Sequence, residues 1–232
     1  MIGDWLLCDF HIHTRFGDGK LQLPQVVDLY GTNGFDVIAI TDHVLDSRTI
    51  SLRHQNGNKL CAIEETAFQD YVQTLWREAR RAWEDYKMML LPGIEITNNT
   101  KMYHILAIDI KRYISPDLSV VEIVKEIHKQ GAIAIACHPH KRCRSEEQQS
   151  AHLWKNHREF ADLFDAWEVA NRDDLFSVIG LKKFRYVANS DFHLQRHLYS
   201  WKTLLMCEKN PEGVKDSIRR NGEVGIYLHR KT

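Results

Sequence analysis

The chain has 232 residues, 44% of them hydrophobic, and its 31 basic residues balance 31 acidic ones. That size suits one domain, 1–232, with a sizeable core, and the zero formal charge exerts no long-range pull on nucleic acid or an anionic membrane. No apolar run nears the roughly 20 residues that cross a bilayer, the first ten residues make no signal peptide, and five cysteines without a CxxC pair read as reduced thiols of a cytoplasmic protein.

In chain order, residues 5–11 read as a strand, with Cys8 as a small buried residue. Pro24 opens a helix carrying Val26, Val27, Leu29 and Tyr30, and Gly34 closes it. The β-branched run 35–41 is a strand ending in Asp42-His43, and 44–64 reads as loop. The spacing of Phe68, Val72, Leu75, Trp76, Ala79 and Trp83 predicts an amphipathic helix over 65–87, with the Trp76/Trp83 stripe in the core. Strands follow at 88–97 and 102–110, joined by a tight turn at Asn98-Asn99. Ser119 and Glu122 form a capping box for a helix over 120–130, closed by Gly131. A strand at 132–137 buries Cys137. Then come a weakly helical 157–163, a strand at 165–170, a short helix near 175–181, strands at 185–189 and 203–207, and a helix over 211–220. This order predicts one α/β domain with mostly parallel strands.

The 13 histidines fall unevenly. Strand after strand ends in a metal-binding side chain: His11 and His13, His43, Glu95, His138, then Asp191 and His193. In a barrel of parallel strands, all carboxyl ends open on one face, so these residues converge. Side chains at i and i+2 of a strand point the same way, so His11 and His13 can grip one ion while Phe10 and Ile12 turn toward packing. One HxH alone is an ordinary strand pattern; five such strand ends point to a metal site.

The stretches DFHIHTRFGDG, AITDH, PGIEIT, the lone His104, ACHPH and NSDFH resemble, in this order, the motifs of the PHP (polymerase and histidinol phosphatase) family. The resemblance spans nearly the whole chain and is closest to the family's small stand-alone metal-dependent phosphoesterases. It implies a distorted TIM-like (β/α)7 barrel with up to three divalent metal ions (Zn, Mn or Fe) at the carboxyl ends of the strands. Carried over position by position, one ion takes His11, His13, Glu95 and Asp191. A second shares Glu95 as a bridge and adds His104 and His138. A third takes Asp18, His43 and His193. All nine positions hold residues capable of ligation. A reversal over 97–101 would pair residues whose numbers sum to 199, which sets His104 opposite Glu95.

Adjacent cations clamp a phosphate and acidify a water, so the expected activity is hydrolysis of a small-molecule phosphate monoester. Glu95, Asp191, His43 and His193 are the catalytic candidates, with His43 or His193 as general acid if the third ion is absent. Candidate substrate-binding residues are Arg142 and Arg144, beside Lys141; Arg172, near Glu168 and Asn171; and His197, with Trp201 nearby. Asp42 reads either as a partner orienting a ligating imidazole or as a turn residue. His54, His128, His152, His157 and His229 read as surface or packing residues. The rival readings are a phosphodiesterase or nuclease, an amidohydrolase-type hydrolase, and a non-catalytic metal-binding module. Neutral charge leans against a long nucleic acid, and no membrane partner is expected.

Overall fold

The apolar runs pair into one curled sheet in the computed structural model, which describes residues 5–139, 151–172, 174–176 and 183–231. Its strands are β1 (Leu6–Ile12), β2 (Val37–Ile40), β3 (His43–Leu45), β4 (Met89–Asn98), β5 (Tyr103–Ile108), β6 (Ile133–Ala136), β7 (Ala166–Asn171), β8 (Asp174–Leu175), β9 (Tyr186–Asn189), β10 (Trp201–Leu205) and β11 (Val224–Leu228). Their order is β11-β10-β1-β2-β4-β5-β6-β7-β8, with β3 also on β4 and β9 also on β7.

The sheet is mixed rather than mostly parallel. β1, β2 and β4 run parallel, as do β6, β7 and β9. β5 is antiparallel to both its neighbours, and β10 and β11 are antiparallel additions beside β1. The short reversal between Asn98 and Tyr103 explains the first departure: a parallel return would need a crossover of a dozen or more residues. Past β9, the Phe192 N–H donates to the His11 carbonyl (3.0 Å), and the His13 N–H donates to the Phe192 carbonyl (2.8 Å). These bonds draw the far end of the sheet back against β1.

The curl gives the sheet two packed faces. Cys8, Phe10, Val37, Leu91, Leu106, Ile135, Cys137 and Val187 fill the concave one. The convex face carries α1 (Leu23–Thr32), α3 (Phe68–Tyr86) and α4 (Val120–Lys129), whose apolar stripes pack on it through Val26, Val27, Leu75, Ile123 and Ile127. The Ser119–Glu122 capping box starts α4 as the sequence implies. Val214 and Ile218 of the helix Pro211–Arg220 join the concave core.

Several expectations change. Residues 44–64 contain the end of β3 and all of α2 (Ser47–Gln55); α2 buries none of its residues, so it has no apolar period to read. Trp76 and Trp83 are 44% and 46% exposed rather than core. The buried seam of α3 runs Phe68, Tyr71, Val72, Leu75, Ala82, and both tryptophans lie one residue beyond it, at the seam's edge. β11, a half-buried edge strand, has no counterpart in the sequence reading. The weakly helical 157–163 is a single turn, α6 (His157–Phe160), after α5 (Ala151–Lys155). Leu175 lies in β8, and 177–182 lie outside the described residues. The helix Pro211–Arg220, here α7, matches its expectation. Among the described residues, no helix is long and apolar enough to cross a membrane.

Candidate metal centre

β1 ends in a bulge that builds the site. It pairs with β2 at Cys8–Val37 and Asp9–Ile38, but Ile12 pairs with Ile40, so β1 carries one extra residue. Phe10 consequently packs into the concave core and Ile12 into the convex one, instead of both on one side. The His11 and His13 rings lie 5.1 Å apart, and each Nε2 stands 3.2 Å from Glu95 Oε2 and 3.5 Å from Asp191 Oδ1.

Glu95 sits at the junction of the other donors. His104 Nδ1 lies 2.6 Å and His138 Nε2 3.4 Å from its Oε1, and His43 Nδ1 is 3.1 Å from its Oε2. The β4–β5 register differs from the sequence expectation. Thr97 pairs with His104 and Glu95 with Leu106, so partner numbers sum to 201, not 199. The shift of two keeps His104 on the same face as Glu95, so the two side chains meet diagonally.

A third group gathers around Asp18, whose Oδ1 lies 3.1 Å from His193 Nε2, 3.8 Å from His43 Nε2 and 3.9 Å from His13 Nδ1. Gly19 makes this possible: a Cβ there would fall 2.5 Å from the His13 carbonyl oxygen, so only glycine lets the 14–19 loop fold back on β1. Among the described residues, three sets of ligand atoms thus lie close enough to hold an ion each: His11, His13, Glu95; Glu95, His104, His138; and His13, Asp18, His43, His193. His13 belongs to two of them, which the position-by-position assignment did not anticipate.

Surrounding residues fix this geometry. Glu168, fully buried, accepts from His11 Nδ1 (2.8 Å), the His138 backbone N–H (2.6 Å), Asn189 Nδ2 (2.9 Å) and Asn171 Nδ2 (3.0 Å). With Nδ1 so engaged, the His11 Nε2 is turned toward Glu95 and Asp191. A bulge in β7, between Glu168 and Ala170, accompanies this placement. Asp42 takes the turn role: it accepts from the Thr14 N–H (2.7 Å) and Thr14 Oγ1 (2.8 Å), not from an imidazole. Asp191 and Arg172 adopt positive φ, 46° and 51°, and Arg172 pairs with Asp191 Oδ2 at 3.0 Å.

The cluster opens on a cavity of about 450 Å³ whose lining includes Asp18, His43, Glu95, His104, His138, Arg172, Asp191 and His193. Arg53, Cys61 and Asn99 line it too, and sequence reasoning missed them because they lie in or beside segments without periodicity. His197 is not part of the lining: its Nδ1 accepts from the His193 N–H (3.1 Å), so it steadies that loop. Trp201 is likewise absent from the lining and belongs to β10. Lys141, Arg142 and Arg144 lie outside the described residues.

Burial works against charge on His11, but Glu168, Glu95 and Asp191 overcome it and hold the imidazole's pKa well above the ordinary value. His13 is likewise raised to about 9, burial being outweighed by Asp191 and Glu95. Burial likewise opposes ionisation of Glu95, yet His43, His11 and His104 hold it well below the usual carboxylate range. His43 goes the other way: burial lowers it to about 3, so it is a neutral donor near pH 7. Among the described residues, both ring nitrogens of His13, Nε2 of His104 and Oδ1 of Asp18 are buried atoms without a hydrogen bond. Buried polar atoms are rarely left so. Imidazole and carboxylate donors, unbonded and convergent, fit divalent Zn, Mn or Fe.

A curled α/β half-barrel with a histidine–carboxylate cluster beside a cavity is the class these observations define. No family profile matches the chain, and no curated protein does. Among solved structures, a two-domain protein from Bacteroides vulgatus, described as containing a "predicted PHP-like metal-dependent phosphoesterase", matches with a TM-score of 0.68 at 22% identity, over 98% of this chain and 66% of that one. This chain therefore spans just under two thirds of that protein's length. An amidohydrolase from Chromobacterium violaceum, with bound sulfate and no metal, matches with a TM-score of 0.54 at 14% identity, over 80% of this chain and 87% of that one. In both its motifs and its fold, the chain resembles the PHP-like proteins, and the amidohydrolase shares the barrel-like frame.

Proposed function

We propose that the protein is a metal-dependent phosphoesterase that hydrolyses a small-molecule phosphate monoester. One observation carries the reading: three donor sets, joined through His13 and Glu95, converge on the wall of a small cavity and keep buried nitrogens unbonded. His11, His13, Glu95 and Asp191 would hold one divalent ion, Glu95, His104 and His138 a second, and Asp18, His43 and His193 a third. Ions there would supply positive charge against the phosphate and lower the pKa of a water. Glu95 balances charge for two sets at once, and Glu168 keeps His11 turned inward. Neutral His43 is a ligand rather than an acid. His193, 17% exposed beside Asp18, is the better-placed group to protonate a leaving oxygen when no third ion occupies it.

The PHP-type (β/α)7 barrel is part of this reading. β1, β2, β4, β5, β6, β7 and β9 surround the concave core, and the Phe192 bonds to His11 and His13 support closure of the last strand on the first. The buried thiols of Cys8 and Cys137, used as core residues, fit a reducing compartment such as the cytoplasm.

The test is phosphate release from a panel of mono- and diesters, with chelator-treated protein and protein reloaded with Mn²⁺ or Zn²⁺. Monoester turnover that chelation abolishes and metal restores is the expected result. Preference for diesters makes the protein a phosphodiesterase or nuclease. Amide hydrolysis or base deamination without phosphate release favours the amidohydrolase reading, which the shared fold keeps as the second choice. Stoichiometric metal with no turnover of any substrate leaves a metal-binding module.

A further inference from the structure

An arginine that lines the cavity has no partner among the described residues. Arg53 stands in the last turn of α2 and is partly exposed. Among the described residues, its guanidinium makes no ion pair and no hydrogen bond. The cavity's other arginine, Arg172, is already paired with Asp191 at 3.0 Å.

The position of Arg53 is built rather than incidental. α2 buries none of its own residues, so apolar packing does not hold it. It is tied at its first turn instead. Asp46, 1% exposed, accepts from the Thr49 N–H (3.0 Å) and Thr49 Oγ1 (2.6 Å), and also from the Asn99 N–H (3.0 Å) and Thr100 Oγ1 (2.8 Å). One carboxylate thereby caps α2 and ties it to the β4–β5 turn, which supplies Asn99 to the same cavity. Ser47 adds two bonds to Asp117 Oδ1, both 3.1 Å. A cation near a helix C-terminus also suits the helix dipole. Any basic side chain in that turn would meet that need, so the dipole alone does not place an arginine on the cavity wall.

We infer that Arg53 binds a second anionic group of the substrate, so that the preferred substrate is a phosphate ester carrying a further carboxylate or phosphate. This rests on the phosphoesterase reading above. A cavity of about 450 Å³ is on the order of 10 Å across, so the second anion lies within a few bonds of the scissile phosphate. Arginine suits either group, because its planar fork meets carboxylate and phosphate oxygens two at a time.

The experiment uses Mn²⁺-loaded full-length protein and three phosphonates that cannot be hydrolysed: propylphosphonate, 3-phosphonopropionate and propane-1,3-bisphosphonate. Calorimetry reads binding without turnover. Wild type is expected to bind the two doubly anionic probes about tenfold or more tighter than propylphosphonate. The stronger of the two identifies the second group as carboxylate or phosphate. Arg53→Gln should lose that preference and Arg53→Lys should keep part of it. The melting temperature of Arg53→Gln should stay within about 2 °C of wild type, since the side chain has no partner to lose. Equal affinity of wild type for all three probes overturns the inference and leaves the phosphoesterase reading standing. So does a preference that survives Arg53→Gln. Failure of the loaded protein to bind any phosphonate overturns both.

Discussion

Two buried charged clusters begin two residues apart on β1 and are finished in opposite ways. Around Asp9, the charged and hydroxyl groups are met from within the protein. Its Oδ1 accepts from the Ser190 N–H (3.0 Å), its Oδ2 accepts from Tyr30 OH (2.9 Å), and Lys202 Nζ lies 3.4 Å from Oδ2. Lys202 also donates to Ser200 Oγ (2.8 Å) and the Trp201 carbonyl (3.2 Å). Around His13, the ring's Nε2 faces Glu95 and Asp191 at 3.2 and 3.5 Å without a hydrogen bond of good geometry, and among the described residues His13 Nδ1, His104 Nε2 and Asp18 Oδ1 have none either. Asp9, Lys202 and His13 are all fully buried, so depth does not separate the clusters. A chain that buries charge for its own stability satisfies it locally. The open cluster, with strained backbone at Asp191 and Arg172, is arranged for something that arrives from outside.

Substitutions at the two clusters should therefore fail differently. The largest effect belongs to Glu95. Glu95→Ala removes the countercharge shared by two donor sets and should cost three or more decades of turnover, about 4 kcal/mol of transition-state stabilisation. Asp18→Ala touches one set and should cost about one to three decades while retaining more metal. Both variants should melt cooperatively. Kinetics beside elemental analysis decide the matter, and equal losses at both positions would place the bridge elsewhere.

Lys202→Met should do the reverse. Leaving Asp9 buried and uncompensated costs roughly 3–5 kcal/mol of folding stability by urea titration, with metal content per folded molecule unchanged. A loss below about 1 kcal/mol would erase the distinction between the clusters.

Glu168→Gln probes the border between them, because Glu168 is satisfied yet touches His11. Weakening its hold on the ring should lower metal affinity about 10- to 100-fold, read by competition with a chromogenic chelator. An unchanged affinity would make Glu168 purely structural.

The mildest test is pH. In the metal-free protein, His11 and His13 are raised, His13 from 6.5 to about 9. The contribution of His13 to stability is fully present below 6.5 and is lost as pH rises through about 9, and that of His11, raised by Glu168, Glu95 and Asp191, is likewise lost on the alkaline side. Metal must displace those protons, so metal affinity should climb across the same window. Melting temperatures with and without metal should diverge from pH 6.5 to 9; parallel curves would remove His13 from the site.

The sequence alone determined the amphipathic helices and the chemistry at the strand ends. Those signals are local: apolar residues recur three or four apart in α1, α3 and α4, and HxH and DxH mark where runs of strand residues stop. His11, His13, Glu95, His138 and Asp191 could be named as a group because each stands in a recognisable stretch, and the lone His104 joined them through the family resemblance and the hairpin that faces it toward Glu95. What the tertiary structure decided is how they meet. The bulge at Asp9–Ile12 turns His11 and His13 inward and sends Phe10 and Ile12 into different cores. The hairpin register moved by two without separating His104 from Glu95, since only a shift by an odd number changes face. Glu168 reaches His11 across 157 residues of chain, and Arg53 reaches the cavity from a helix with no apolar stripe. Strand order, bulges and the placement of a polar helix come from pairings between distant segments, and no short-range period in the chain encodes them.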